Sequence, residues 1–403
     1  MFNRLNGSNS SNENYIVKDA SSNTLTSNIQ IKNNKKCKSI ASFYKKINEK
    51  NNKIYKIETV DYKTTIDHLS KINTSFKETN LNLVFYNTRN TSYNTNQTNK
   101  WLTIAFIELI KKENLLFNCS GINNNIYEPN IFSKSALEKS SDKLQVFGII
   151  IGLFLKYHSC LPYKLPTYFF KLLLDLAVNK NDIMGENYQI TKQLNDTKLF
   201  LHRKPDNKFA MSTIKKVQLD KEGNLIKTVY WIKNKFFTKK TYKTYVKQMI
   251  EYAIPKLRIT VAEIKKGFIK VINQEDLNIL TAKKLKKLIN GSDKELNLNY
   301  WKTHANYLKE DGNSNVIKWF WEFIAEYTEK EIREIFFLFT GCKYIPYNNY
   351  INSILYLNII ITDINECSIE LYSKILRLPR KITKSKFKAS FKKMINSLVL
   401  ENE

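Results

Sequence analysis

Ten consecutive apolar residues, VFGIIIGLFL at 146–155, run up to Lys156. A membrane span needs about 20 such residues, so the run is too short to cross a bilayer and reads as a helix packed inside a globular body. Gly148 and Gly152 stand four apart in it. That spacing puts both on one face and lets a neighbouring helix approach closely. The chain has only 10 glycines and no GxxxxGK[ST] pattern, so packing is preferred to phosphate binding, and no nucleotide, cofactor or metal is expected.

The stretches beside this helix have the same period. WLTIAFIELIKK at 101–112 and LPTYFFKLLLDLAV at 165–178 place apolar residues at helical spacing, as do LTAKKLKKLI at 280–289 and VIKWFWEFIAEY at 316–327. In the last of these Val316, Trp319, Phe320 and Phe323 share a face. The final segment repeats the pattern, with Phe387, Phe391, Met394, Ile395 and Leu398 as the buried stripe and Lys386, Lys388, Lys392 and Lys393 outward. LNLVFY at 81–86, TVYWI at 228–232 and LNIII at 357–361 read as strands. Residues 195–245, with a turn at DKEGN (220–224), form a smaller α+β insert. The polar stretch NYLKEDGNSN at 306–315 has a linker's composition, and the Asn/Ser-rich residues 1–37 read as a disordered tail.

A net charge of +28 raises the question of a polyanionic partner. The lysine excess accompanies an equal excess of Asn and Ile, so a solvated basic surface is favoured over a dedicated nucleic-acid groove. The five cysteines, Cys37, Cys119, Cys160, Cys342 and Cys367, are odd in number and show no CxxC pairing. Neither a disulfide framework nor a zinc site is expected, and a reducing compartment, cytoplasm or nucleus, follows.

The order of these segments resembles one family, the HECT-type ubiquitin ligases. LNLVFY, WLTIAFIEL, ENLLF and YEPN look like the entry to that domain. The helix pair around 147–173 matches the family's FxGRxxGxAxxxxxxLxxxFxxxFYKxLL at Phe147, Gly148, Gly152, Leu161, Phe169, Phe170, Lys171, Leu172 and Leu173. WKTHANY at 301–307, VIKWFWE at 316–322 and TGCKYIP at 340–346 follow in the family's order. Ile149 stands where the family has Arg, and NTRNTSYNTNQTN at 87–99 where it has an acidic, glycine-rich segment.

The resemblance implies a bilobal α+β fold. A mostly helical N-lobe at 57–306 would carry the small 195–245 subdomain that holds a ubiquitin-conjugating enzyme, with Leu219, Val229, Tyr230 and Trp231 as contact candidates. A flexible hinge at 307–313 would lead to an α/β C-lobe at 314–403. It also implies the activity: ubiquitin accepted from the conjugating enzyme as a thioester on a cysteine, then passed to substrate lysines. The partners would be that enzyme, ubiquitin and protein substrates that the sequence does not identify.

The family's cysteine lies in HTCxNxLxLP, seven residues before the proline. Leu376, Leu378 and Pro379 match LxLP, and counting back seven lands on Tyr372, with Glu370 and Leu371 where His and Thr belong and Lys374 in place of Asn. A phenol with a pKa of about 10 cannot serve as the acceptor. The displaced candidate is Cys367, five residues upstream and flanked by Asp363, Glu366 and Glu370, whose charges disfavour a thiolate and which Lys374 would partly offset. Two readings stay open: an active ligase using Cys367, and an inactive scaffold that keeps the fold. His304 and Cys160 read as packing residues, and Cys342 as a small residue at a turn.

Overall fold

The computed structural model describes residues 53–59, 79–85, 98–111, 114, 116–120, 126–130, 141–203, 209–211, 214–219, 225–231, 235–237, 241–294, 296–308, 314–345 and 357–400. The 1–37 tail with Cys37, residues 87–97, the 220–224 turn, residues 309–313 and the side chains of Leu219, Val229, Tyr230 and Trp231 lie outside them.

The fold is α+β. Strands β1 (Lys53–Thr59) and β2 (Thr79–Phe85) pair in parallel and lead into helix α1 (Thr98–Ile110). A short antiparallel pair follows, β3 (Phe117–Ser120) with β4 (Ile126–Pro129). Then come α2 (Ser141–Lys156), α3 (Thr167–Leu173), α4 (Lys180–Glu186) and α5 (Tyr188–Arg203). The 146–155 run is buried throughout, as a helix apolar on all sides must be. Along it, Gly152 faces Val271, whose Cβ would lie 2.7 Å from an added Cβ, so the close approach expected of the glycine pair is present.

The insert is a nested hairpin. Its outer strands β5 (Phe209–Met211) and β8 (Lys235–Phe237) pair antiparallel, as do the inner strands β6 (Ile214–Leu219) and β7 (Leu225–Trp231). Helices reach further into it than the residue pattern indicated: α5 continues to Arg203, and α6 (Tyr242–Phe268) starts before its expected end. Helices α7 (Gln274–Leu277) and α8 (Ala282–Asn290) complete this part.

From Leu296 onward most of the buried apolar residues join one core cluster that extends to Ile395 and also takes in Cys160. Helix α9 (Leu298–His304) leads into strand β9 (Asn306–Leu308), followed by α10 (Asn315–Ile324) and α11 (Glu329–Thr340). Strands β10 (Asn358–Thr362), β11 (Ser368–Glu370) and β12 (Ile375–Pro379) precede the last helix, α12 (Lys384–Leu400). The sheet order is β11-β12-β10-β9, with β10 parallel to both β12 and β9, and β11 antiparallel to β12.

This corrects the linker reading at its first three residues. Asn306, Tyr307 and Leu308 pair with Asn358, Ile359 and Ile360, because a polar strand is tolerated at a sheet edge where one side faces water. Of the stripes expected on α10 and α12, Val316, Phe320, Phe323, Phe387, Phe391, Met394 and Ile395 are buried, while Trp319 and Leu398 are only partly buried against the same core.

Candidate functional site

The loop that carries the family motif is built on β12. ILRLP alternates, so Leu376 and Leu378 are fully buried while Ile375 and Arg377 are half-buried. The antiparallel partner β11 aligns Ser368 with Arg377 and Glu370 with Ile375. Residues 371–374 turn the chain between them, with Tyr372 at φ 59° and Lys374 at φ 63°. Left-handed conformations are uncommon for non-glycine residues and persist where surrounding contacts fix them.

Those contacts come from the end of α11. The backbone N–H of Tyr372 donates to the carbonyl of Leu338 (2.9 Å) and that of Lys374 to Phe339 (2.9 Å). The last-turn carbonyls of a helix have no partner within it, so the turn caps the helix. Ser373 donates its hydroxyl to the Glu370 carbonyl (2.6 Å) and closes the turn on itself. Tyr372 is 3% exposed, and its ring centroid lies 5.3 Å from that of Phe337. Burial, and then the neighbouring phenol of Tyr163, hold its hydroxyl protonated well above the usual range.

Cys367 sits at the opposite end of β11, a three-residue strand spanning about 10 Å. It is 6% exposed and belongs to the C-terminal core. Its backbone N–H donates to Ser390 Oγ on α12 (2.8 Å). Burial pushes its thiol up to about 11; Glu366 adds to the shift, and the Ser390 hydroxyl offsets part of it.

The acidic neighbourhood read from the sequence is real in position but largely neutralised. Arg380 pairs with Asp363 (3.4 Å), Lys393 with Glu366 (3.0 Å) and Arg377 with Glu370 (3.5 Å). Desolvation, more than like charge, therefore keeps the thiol protonated. Lys374, expected to offset those carboxylates, acts instead on Cys342, where its charge works against the effect of burial.

Residue spacing carried a signal for the burial of Cys367: it stands two before Ile369 and four before Leu371, so period 2 turns all three to the inward face. The left-handed turn at 372–374 carried no comparable signal, since neither residue is Gly, Asn or Asp.

The remaining candidates are structural. Cys160 and Cys342 are buried, with Cys342 Sγ 3.3 Å from the Cys160 carbonyl and 3.7 Å from Ser159 Oγ. His304 stacks on Tyr300 at 3.9 Å. Among the described residues no group of three or more His, Cys, Asp or Glu is placed to hold a metal ion, and no helix is long and apolar enough to cross a membrane.

The family described as HECT-domain (ubiquitin-transferase) matches residues 103–383, a stretch that contains Cys367, Tyr372 and the LRLP strand. The chain belongs to the HECT family. The chain is similar to E3 ubiquitin-protein ligase UPL5 of Arabidopsis thaliana, 24% identical over 274 residues that cover 64% of this chain and 31% of UPL5. It is similar to human HECW1, 24% identical over 237 residues, 56% of this chain and 14% of HECW1. Over a shorter stretch of 84 residues it is 33% identical to pub1 of Schizosaccharomyces pombe, 21% of this chain and 11% of pub1. The chain thus spans between about a tenth and a third of these relatives' own lengths.

Proposed function

We propose that this chain works in ubiquitin transfer as a HECT-type ubiquitin-protein ligase. It would take ubiquitin from a conjugating enzyme as a thioester and pass it to lysine amines of protein substrates. The observation that carries this reading is the family match over residues 103–383, with relatives that are named E3 ubiquitin-protein ligases. Cys367 is the proposed acceptor. Its thiolate would attack the carbonyl of the incoming thioester, forming a new C–S bond as the conjugating enzyme's thiolate leaves. A substrate amine would then form the isopeptide bond and release the Cys367 thiolate. For that step Cys367 has to part from Ser390 and its thiol has to leave the core.

A second reading has its own observation. Tyr372 fills the register of the family cysteine and is buried there, which favours a scaffold that binds the conjugating enzyme or ubiquitin without forming a thioester. In either reading the 195–245 insert is the proposed seat of the conjugating enzyme. A reducing compartment, cytoplasm or nucleus, suits Cys119, Cys160, Cys342 and Cys367, none of which is in a disulfide.

A bilobal arrangement is part of the proposal, with 307–313 as its hinge and Gly291 as a second proposed pivot. Asn290 bonds to the backbone of Leu165 in both directions (3.1 and 2.8 Å), while Ser292 pairs with Ile345 (2.7 and 3.2 Å). Gly291 stands between these attachments at φ 74°, ψ −168°, a conformation open essentially to glycine alone.

The test is a thioester assay with a ubiquitin-charged conjugating enzyme. A reductant-sensitive adduct that disappears in Cys367→Ala supports the ligase reading. An adduct that survives the substitution excludes Cys367. Binding of the charged enzyme without any adduct favours the scaffold.

A further inference from the structure

The turn at 371–374 touches more than the helix it caps. Tyr372 meets Phe337 (5.3 Å), Phe337 meets Tyr163 (6.3 Å), and Tyr163 meets Tyr127 (4.9 Å), all as tilted ring pairs within the range of productive ring contacts. Lys343 Nζ lies over the rings of both Tyr163 (5.1 Å) and Phe337 (5.0 Å), and pairs with Glu334 (3.0 Å). Tyr127 and Tyr163 belong to β4 and to the segment after α2. Those two segments are tied by the Tyr127 N–H donating to the Lys164 carbonyl (2.8 Å). Phe337 and Tyr372 belong to the C-terminal part, on α11 and in the β11–β12 turn.

Two further contacts cross at the same place. Lys100 on α1 reaches Glu370 at 4.0 Å. Gly341, the left-handed cap of α11, lies so close to Thr103 that an added Cβ would be 2.4 Å from its hydroxyl. Residues 47–403 form one compact unit.

We propose that Tyr372 is a latch: its ring, through Phe337 and Tyr163, fastens the β11–β12 loop to the surface made by β4 and the segment after α2, and so restrains the C-terminal part as a whole. The side chain in the cysteine register thereby has a mechanical task in place of a chemical one. A simple space-filling role would stabilise its own loop only. A latch couples two surfaces that are far apart in sequence, so releasing it loosens both.

Hydrogen exchange on the full chain separates these cases. The reporter amides are Tyr372 and Lys374 on the loop side and Tyr127 on the other. In Tyr372→Ala, exchange is expected to rise at least about tenfold at all three, since the lost ring contact alone is worth roughly 1.4 kcal/mol and the buried volume adds to it. Tyr372→Phe, which keeps the ring, should leave them near the parent rate. A rise confined to 366–379 with Tyr127 unchanged overturns the latch. Should Tyr372→Ala fail to fold, Lys343→Ala decides, because it leaves the four rings in place and removes the cation over Tyr163 and Phe337 together with its pair to Glu334. A rise at Tyr127 and Tyr372 together supports the latch, and a rise at one alone or at neither overturns it.

Discussion

Gly148 of α2 lies against the backbone of Ile264 on α6, so close that a Cβ added to it would sit 1.9 Å from the Ile264 carbonyl oxygen. The contact is reciprocal: a Cβ on Gly267 of α6 would lie 1.8 Å from the carbonyl of Gln145 on α2. Each helix supplies the glycine that receives the other's backbone, and neither backbone can yield without moving a buried helix. Gly148→Ala and Gly267→Ala are each expected to cost about 3 kcal/mol. Gly185→Ala, with nothing within 4 Å, should gain up to about 1 kcal/mol from helix propensity. Denaturant unfolding of the three variants checks the ranking, and an unaffected Gly148→Ala would refute the packing account.

Thiol chemistry gives the second prediction. With Cys367 at about 11, roughly one molecule in a thousand carries a thiolate at pH 8, and the thiol is 6% exposed besides. Iodoacetamide at that pH should modify Cys119, which is partly exposed, at least about a hundredfold faster than Cys367. The linkage has a definite sign. The folded value lies above the ordinary 9.0, so the stabilising contribution is whole below pH 9 and is lost as pH rises through 11. It amounts to about 3 kcal/mol across that window. Thermal melts from pH 8 to 11 should fall less steeply in Cys367→Ala than in the parent.

How far the sequence disclosed this molecule depends on what each feature rests on. Helices with a broad apolar face, such as 146–155 and 316–327, are visible because burial imposes a period that residue types record. Strand β9 escaped notice because three polar-flanked residues at a sheet edge carry no such period. Its pairing with β10 depends on residues some fifty positions away. At the site, the proline and two leucines of LRLP fixed the register, and Tyr372 could be read directly. What could not be read was that Tyr372 and Lys374 adopt left-handed backbone to cap α11, since tertiary contacts override the local preference of both residues.

His158 supplies an acid-side counterpart to Cys367. Burial lowers its imidazole to about 4, below the ordinary 6.5, so its contribution is present above pH 6.5 and is lost as pH falls through 4. The loss amounts to at most about 3 kcal/mol. The residue holds φ 56°, which asparagine tolerates well. His158→Asn should therefore fold and show a flatter decline in melting temperature between pH 6.5 and 4. An unchanged acid limb would show that His158 does not titrate against folding there.

Trp301 explains why WKTHANY and VIKWFWE occur in a fixed register, and it carries the last prediction. The indole is fully buried and meets Trp321, Phe336 and Phe339 edge-on at 5.6, 5.3 and 5.9 Å. Trp321 in turn donates its indole N–H to the Tyr307 hydroxyl at 3.0 Å, and that hydroxyl donates to the Lys302 carbonyl at 3.1 Å. Trp301→Ala empties the centre of this cage and should cost roughly 3 to 5 kcal/mol. The Trp301 N–H meets no acceptor among the described residues, so Trp301→Phe loses volume but no hydrogen bond and should cost distinctly less. Tyr307→Phe removes the acceptor from Trp321 at a cost of about 1 kcal/mol. Because β9 and α9 enter the core through these rings, Trp301→Ala should also release the Asn306 amide, which donates to the Leu357 carbonyl at 2.8 Å. Equal stability of the alanine and phenylalanine variants in urea, or an Asn306 amide that stays protected, would show that the cage does not hold the strand.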